Sequence, residues 1–390
     1  MSKTFSEGRA PQIIIEKVEG DLSLVGWEGE DILVKGDDDA MQCVHGNGSL
    51  NISCADDLSL RAPKGAAVSI NQIEGDAAMR GILGGVILQA ITGDLSIRDA
   101  GAISVQSAEG DVSIRSVSGE TILLHVEGDI AIRDAESVSI DAAQDDVSIE
   151  RVKNNVIIQS AGADVSIRDV SGDVTLNATA DDLALRDVRG SVIANVGEDV
   201  VLYLDPQPGR SYNIHAGDDI LLVMPPSANA TLNLNGDSID VEWRGVERDA
   251  ESSARVVKLG NGEPAMTLSA GGDIRVTNQS NAGDSAEDFG NFAGVGMDWS
   301  GFGERISRQV EQAARRASKR AEEAAQKASK RGAFLKVGRW NWDVTQRGVP
   351  MPPQPQASDE ERLAILKMLQ EKKISAEDAE KLLAALEGEA

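Results

Sequence analysis

Chemistry in this chain would have to start from its aspartates. Asp57, Asp76, Asp94, Asp111, Asp129, Asp146, Asp164, Asp182, Asp199, Asp219 and Asp237 follow one another at steps of 17 to 20 residues. Asp21 and Asp273 stand 36 residues outside the two ends of that series. A row of carboxylates can ligate calcium, serve as acid and base, or hold turns. Calcium β-rolls use the phrase GGxGxDxUx, whose paired glycines bend backbone carbonyls toward the ion. Here "EGDVSI" and "AGADVSI" keep the aspartate and lose most of the glycines. The aspartates therefore read as turn residues whose carboxylates accept local backbone hydrogen bonds.

The other chemical groups are sparse. His45, His125 and His215 lie 80 and 90 residues apart. That is four to five repeats, roughly 20 Å at strand spacing, so they cannot share an ion. Cys43 and Cys54 are the only cysteines. Without a Cys/His cluster they make no zinc site, and they fit a reducing compartment. No P-loop, GxSxG or dinucleotide-binding glycine motif is present. Every repeat carries similar carboxylates, so none stands out as an active site. The reading assigns no catalytic, cofactor-binding or metal residue, and expects no enzyme activity, no cofactor and no small-molecule substrate.

The elements that position the aspartates come next. Each period of about 18 residues holds two short alternating runs, as in "GDVSIRSVSGETILLHVE", Gly110 to Glu127. Alternation with a period of two places one set of side chains inward. The first inward column reads Leu95/Ile97, Val112/Ile114, Ile130/Ile132, Val147/Ile149, Val165/Ile167 and Leu183/Leu185. The second reads Ile103/Val105, Ile122/Leu124, Val138/Ile140, Val156/Ile158 and Val174/Leu176. Similarity is much stronger at 18 residues than at 9, which coils stacked like on like explain and a meander does not. The expected class is all-β, a parallel β-solenoid of about 14 coils, right-handed as parallel crossovers generally are. A helical C-terminal region follows it. On the outer side, Arg98, Arg115, Arg133, Arg168 and Arg186 should form a ladder, with Asp99, Asp134, Asp169 and Asp187 offsetting its charge.

Net charge is −26, from 64 acidic and 38 basic residues. Nearly all the excess acid precedes residue 277. Such a surface repels phosphate, so no nucleic-acid partner is expected. The N-terminus lacks an apolar signal region, and Gly81–Ile91, the longest apolar stretch, is too short to span a bilayer. The expected location is cytoplasmic.

The pattern divides the chain into a leader (1–12), the solenoid (13–276), a Gly- and aromatic-rich linker or cap (277–302), a basic Ala-rich helix (303–331), a Pro-rich linker (332–357) and a two-helix hairpin (358–390). The basic helix carries Arg308, Arg315, Arg316, Lys319, Arg320, Lys327 and Lys330. Its narrow apolar stripe, Ile306, Val310 and a run of alanines, suits a solvated helix, docking onto an acidic rod, or weak contact with an anionic membrane surface through residues 303–342. In the hairpin, Ser358 and Glu361 make a capping box. Leu363, Leu366, Leu369, Ile374, Leu382, Leu383 and Leu386 are its candidate interaction residues. A unit of that size buries too little core alone, so self-association or another protein partner is expected.

Two resemblances are visible. The repeat, with "GDVSIRSVSGE" and "SAGGDIRV", resembles the bacterial putative-adhesin domain of unknown function, a β-strand repeat that forms a β-solenoid. The tail "ERLAILKMLQEKKISAEDAEKLLAAL" is similar to the SHOCT-like C-terminal hairpins, which implies oligomerisation, although it departs from them at "EKKIS". The first resemblance implies no enzyme and no substrate, and for some relatives a link to envelope stress. Together these features suggest a non-enzymatic scaffold, with a bactofilin-like polymer or a peripheral membrane-surface protein as alternatives.

Overall fold

A computed structural model describes residues 2–46, 49–247 and 252–279. The chain divides into two compact units, Met1–Gly332 and Ala333–Ala390. Every described residue belongs to the first. Arg308 to Lys330 and the hairpin leucines lie outside the described residues.

The described chain is all strand. Thirty strands form two sheets of fifteen. Each coil gives one strand to each sheet, as Ile103–Ala108 followed by Val112–Val117. Neighbouring coils pair in parallel and in register: Leu95 lies beside Val112, Val112 beside Ile130, and Ile130 beside Val147. This is the parallel β-solenoid. Its core is the space between the sheets, filled by aliphatic residues such as Ile97, Val105, Ile114 and Ile140, each buried. Each such side chain contributes about 1.5–3 kcal/mol by leaving water.

One phase differs from the alternation reading. In "ETILLHV", Thr121 and Leu123 face inward, Ile122 is half-buried outside and Leu124 is 42% exposed. Three consecutive aliphatic residues fit two phases. Pairing with the neighbouring coil decides, because Thr121 must lie beside Ile103 and Leu123 beside Val105. A slip of one residue moves every side chain to the opposite face.

The "RD" half of the phrase has a backbone cause. Asp99, Ser116, Asp134, Arg151, Asp169 and Asp187 have φ between 52° and 60°. The strand pairing skips this position on both neighbouring strands and keeps its register, so successive coils make the same kink here. The left-handed residue breaks the alternation, and Ala100, Val117 and Ala135 after it are back in the core. Aspartate tolerates this left-handed conformation better than most residues.

At both ends chain order and stacking order part. Gln12–Val18 pairs with Ser49–Cys54 on one side and Ala67–Ile73 on the other. The first coil is thus second in the stack. At the far end Ala265–Ala270 lies between Tyr212–Ala216 and Ala230–Asn235. The two 36-residue intervals are therefore excursions that wrap past the terminal coil. Thirteen parallel strands stand in each sheet, among the described residues. The remainder are antiparallel: Ser2–Ser6 and Asp31–Lys35 in one sheet, Met41–Gly46 and Ala254–Leu259 in the other. They cover edges that a bare parallel stack would leave open.

The aspartates form a continuous ladder. The amide of Asp76 donates to Asp21 Oδ1 at 2.9 Å, Asp94 to Asp76 at 2.9 Å, and Asp111 to Asp94 at 3.0 Å. The series runs from Asp57 through Asp21 to Asp219 and ends at Asp273, at 2.6–3.3 Å throughout. Backbone bonds run alongside, with the Ala77 amide donating to the Asp94 carbonyl at 2.8 Å. The glycine before several of these aspartates follows from close approach. A Cβ at Gly75 or Gly93 would fall 2.4 or 2.5 Å from the preceding carboxylate oxygen.

The ladder needs an oxygen acceptor, not a charge. At another turn Asn155 Oδ1 accepts the Asp173 amide at 2.9 Å. Asp182→Asn should therefore keep the bond to Asp199 and raise the melting temperature at pH 7. Asp182→Ala should lower it, because an amide left unpaired costs about 1–3 kcal/mol. Thermal melts followed by circular dichroism check both.

Candidate interaction surfaces

The outer face of one sheet carries the charges. Arg80, Arg98, Arg115, Arg133, Glu150, Arg168, Arg186 and Tyr203 stand side by side on successive strands. The expected arginine ladder is present, interrupted by Glu150. That carboxylate takes Arg168 Nη2 at 3.0 Å and also pairs with Arg133 and Arg151. Burial pushes the Glu150 carboxyl up, but the Arg133 hydrogen bond and the surrounding guanidinium charges outweigh it and hold it below the usual range. Arg151 Nη2 donates to Asp134 Oδ2 at 3.0 Å, and this pairing lowers the Asp134 carboxyl. Arg186 stacks on the Tyr203 ring at 4.2 Å. Beyond it, Val201, Leu221 and Val223 form a small buried apolar patch on the same face. Opposite charges cancel within this face, so it holds its own side chains in place.

The turn carrying the aspartate ladder behaves differently. Its carboxylates are half-buried and stacked on like charges. Burial, with neighbouring carboxylates adding to it, pushes Asp129 and Asp182 up to about 6. Asp94, Asp146 and Asp199 are raised for the same first reason.

Among the described residues the histidines and cysteines are not gathered into one site. His45 pairs with Glu7, His125 Nε2 lies 3.3 Å from the Gln144 amide, and His215 sits on the separate strand Tyr212–Ala216. Cys43 and Cys54 are free thiols whose pKa burial raises, which makes them poor nucleophiles. Among the described residues no three His, Cys, Asp or Glu side chains are grouped to hold a metal ion. Sequence reading found the arginine column and the turn aspartates. It missed Glu150 as the neutralising residue, although "SIER" in place of "SIRD" marked it.

The ladder makes stability depend on pH. Asp129 and Asp182 rise from 3.8 unfolded to about 6 folded, so the folded state binds more protons between those values. Stability should rise as pH falls from 7 through 6. Asp134 and Glu150 are lowered instead, and their contribution is lost as pH falls below the ordinary carboxylate range. Melting temperatures across pH 3–8 should peak between about 4 and 5.5. A maximum at or above pH 7 would contradict this balance.

Comparison with known proteins agrees with this architecture. A family model described as Toastrack DUF4097 matches residues 12–277, and a SHOCT-like domain matches residues 360–390. No curated protein matches the chain. Similar solved structures include a "putative adhesin" from Bacteroides fragilis, 12% identical, covering 71% of this chain and 96% of that one, with a TM-score of 0.21. Another is a "putative cell adhesion protein" from Clostridium sporogenes, 10% identical, covering 72% and 99%, with a TM-score of 0.16. At those scores neither carries an argument about this chain. The match over residues 12–277 does: this chain belongs to the Toastrack DUF4097 family.

Proposed function

We propose that the chain is a non-enzymatic cytoplasmic scaffold, an acidic β-solenoid that carries a C-terminal segment for oligomerisation or partner binding. The observation that carries this reading is the sameness of the coils. The aspartate turn and the arginine face recur along the stack, so no position is set apart as a reaction centre. Specificity then belongs where the repeat stops, and the SHOCT-like match at residues 360–390 supports an interaction role there. Residues 303–331 would add a basic element able to meet an acidic rod or an anionic membrane surface. A link to envelope stress belongs to this reading through the family resemblance.

A bactofilin-like polymer would need open ends. Among the described residues, antiparallel strands occupy three of the four sheet edges, and the fourth, Ile239–Glu242, is only four residues long. Those ends favour discrete particles over filaments.

Deleting residues 358–390 tests the reading. The concentration at which the full chain dissociates to single chains, measured by light scattering during dilution, should rise at least tenfold. An unchanged dissociation concentration would remove the segment's proposed role.

A further inference from the structure

The second sheet presents a different outer face. Among the described residues, most large aliphatic side chains left exposed lie on it: Val44, Ile87, Leu124, Ile157, Ile193 and Val256. All of them but Leu124 lie in one column of the strand register. Val44, Ile14, Ile87, Ile122, Ile157 and Ile193 occupy every second strand. Asn51, Ser69, Ser104, Ser139, Thr175 and Asn213 occupy the strands between and after them. The alternation holds over twelve adjacent strands. It puts an aliphatic ridge about every 9.6 Å, with a short polar residue in each gap.

Through its middle this face carries little charge, although Glu16 and Lys17 on Gln12–Val18 and Glu120 on Glu120–Val126 also stand outward. The next outward positions on six successive strands are Gln89, Gln106, Leu124, Asp141, Gln159 and Asn177, and one of the six is charged. The opposite sheet carries arginine or glutamate at its corresponding column. In a chain of net charge −26, two copies meet here at the least electrostatic cost.

We propose that this face is a self-association surface that joins two copies of the solenoid antiparallel. The column is self-complementary. When a two-fold axis passes between adjacent strands such as those of Ile122 and Ser139, each isoleucine of one copy faces a serine, threonine or asparagine of the other. The ridges then fill the gaps across sheets packed about 10 Å apart. A parallel copy slipped by one coil also interdigitates, but it leaves both ends open and does not close. From Val44 to Asn213 the face is about 53 Å long and roughly 17 Å wide. That is on the order of 900 Å² per copy, the area of a standard stable interface. The basic segment 303–331 is a poorer occupant, because its nine basic residues would meet few carboxylates here, Glu16, Glu120 and Asp141 among them.

The test uses the full chain with Ile122→Asp and Ile157→Asp together, and Val25→Asp as a control on the other sheet. Val25 is 40% exposed between Arg61 and Arg80. Light scattering on dilution should show the double variant dissociating to single chains at a concentration at least tenfold higher, with unchanged circular dichroism. Val25→Asp should behave as the parent chain. A parent chain that is single at tens of micromolar, a double variant that dissociates as the parent does, or an equal effect of Val25→Asp would overturn the proposal. Because the hairpin stays intact in every variant, the outcome is separate from that of deleting residues 358–390.

Discussion

At almost every coil the carboxylate of one turn aspartate accepts the amide of the aspartate one coil further on. This bond sets the spacing and phase of the stack, because it can form only when the turns lie directly above one another. The inward aliphatic columns supply most of the burial energy, but they would tolerate small displacements along the axis. The ladder does not, and its glycines leave room for nothing larger beneath the oxygen. It also has a cost. A line of half-buried carboxylates at one-strand spacing repels itself, and burial together with that repulsion raises Asp129 and Asp182.

Much of this was readable from the amino acids, for a physical reason. Each coil performs the same task, so its residues repeat, and a period of 18 with one aspartate per turn implies stacking of like on like. Three features were not readable. The inward phase of Thr121 and Leu123 depends on pairing with Ile103 and Val105, which are distant in sequence. The 36-residue intervals at Asp21–Asp57 and Asp237–Asp273 look the same whether the chain adds coils in order or wraps past one and returns. The left-handed φ at Asp99 and its equivalents leaves only the trace "RD", which reads equally well as charge balance. For the candidate sites, the arginine column was visible as a repeat. The isoleucine column was not, because Ile87, Ile122, Ile157 and Ile193 lie 35 or 36 residues apart, twice the dominant period, and Ile14 and Val44 join it out of chain order.

The two outer faces divide the work of the surface. The charged face pairs its arginines with Glu150, Asp134 and Asp99, satisfying itself. The neutral face keeps aliphatic ridges in water, an arrangement that costs solubility and is explained by a partner. On the proposed scaffold reading, a protein built this way acts through where it holds other molecules.

The most direct measurement of that constraint is the pH dependence of single backbone amides in the isotopically labelled chain by nuclear magnetic resonance. The Asp199 amide donates to Asp182 and the Asp146 amide to Asp129. If the carboxylates hold these amides, both signals should shift with a midpoint at about 6 and remain protected from exchange. Amide signals with no titration at about 6, or that exchange freely, would show that the turns do not hang on this ladder.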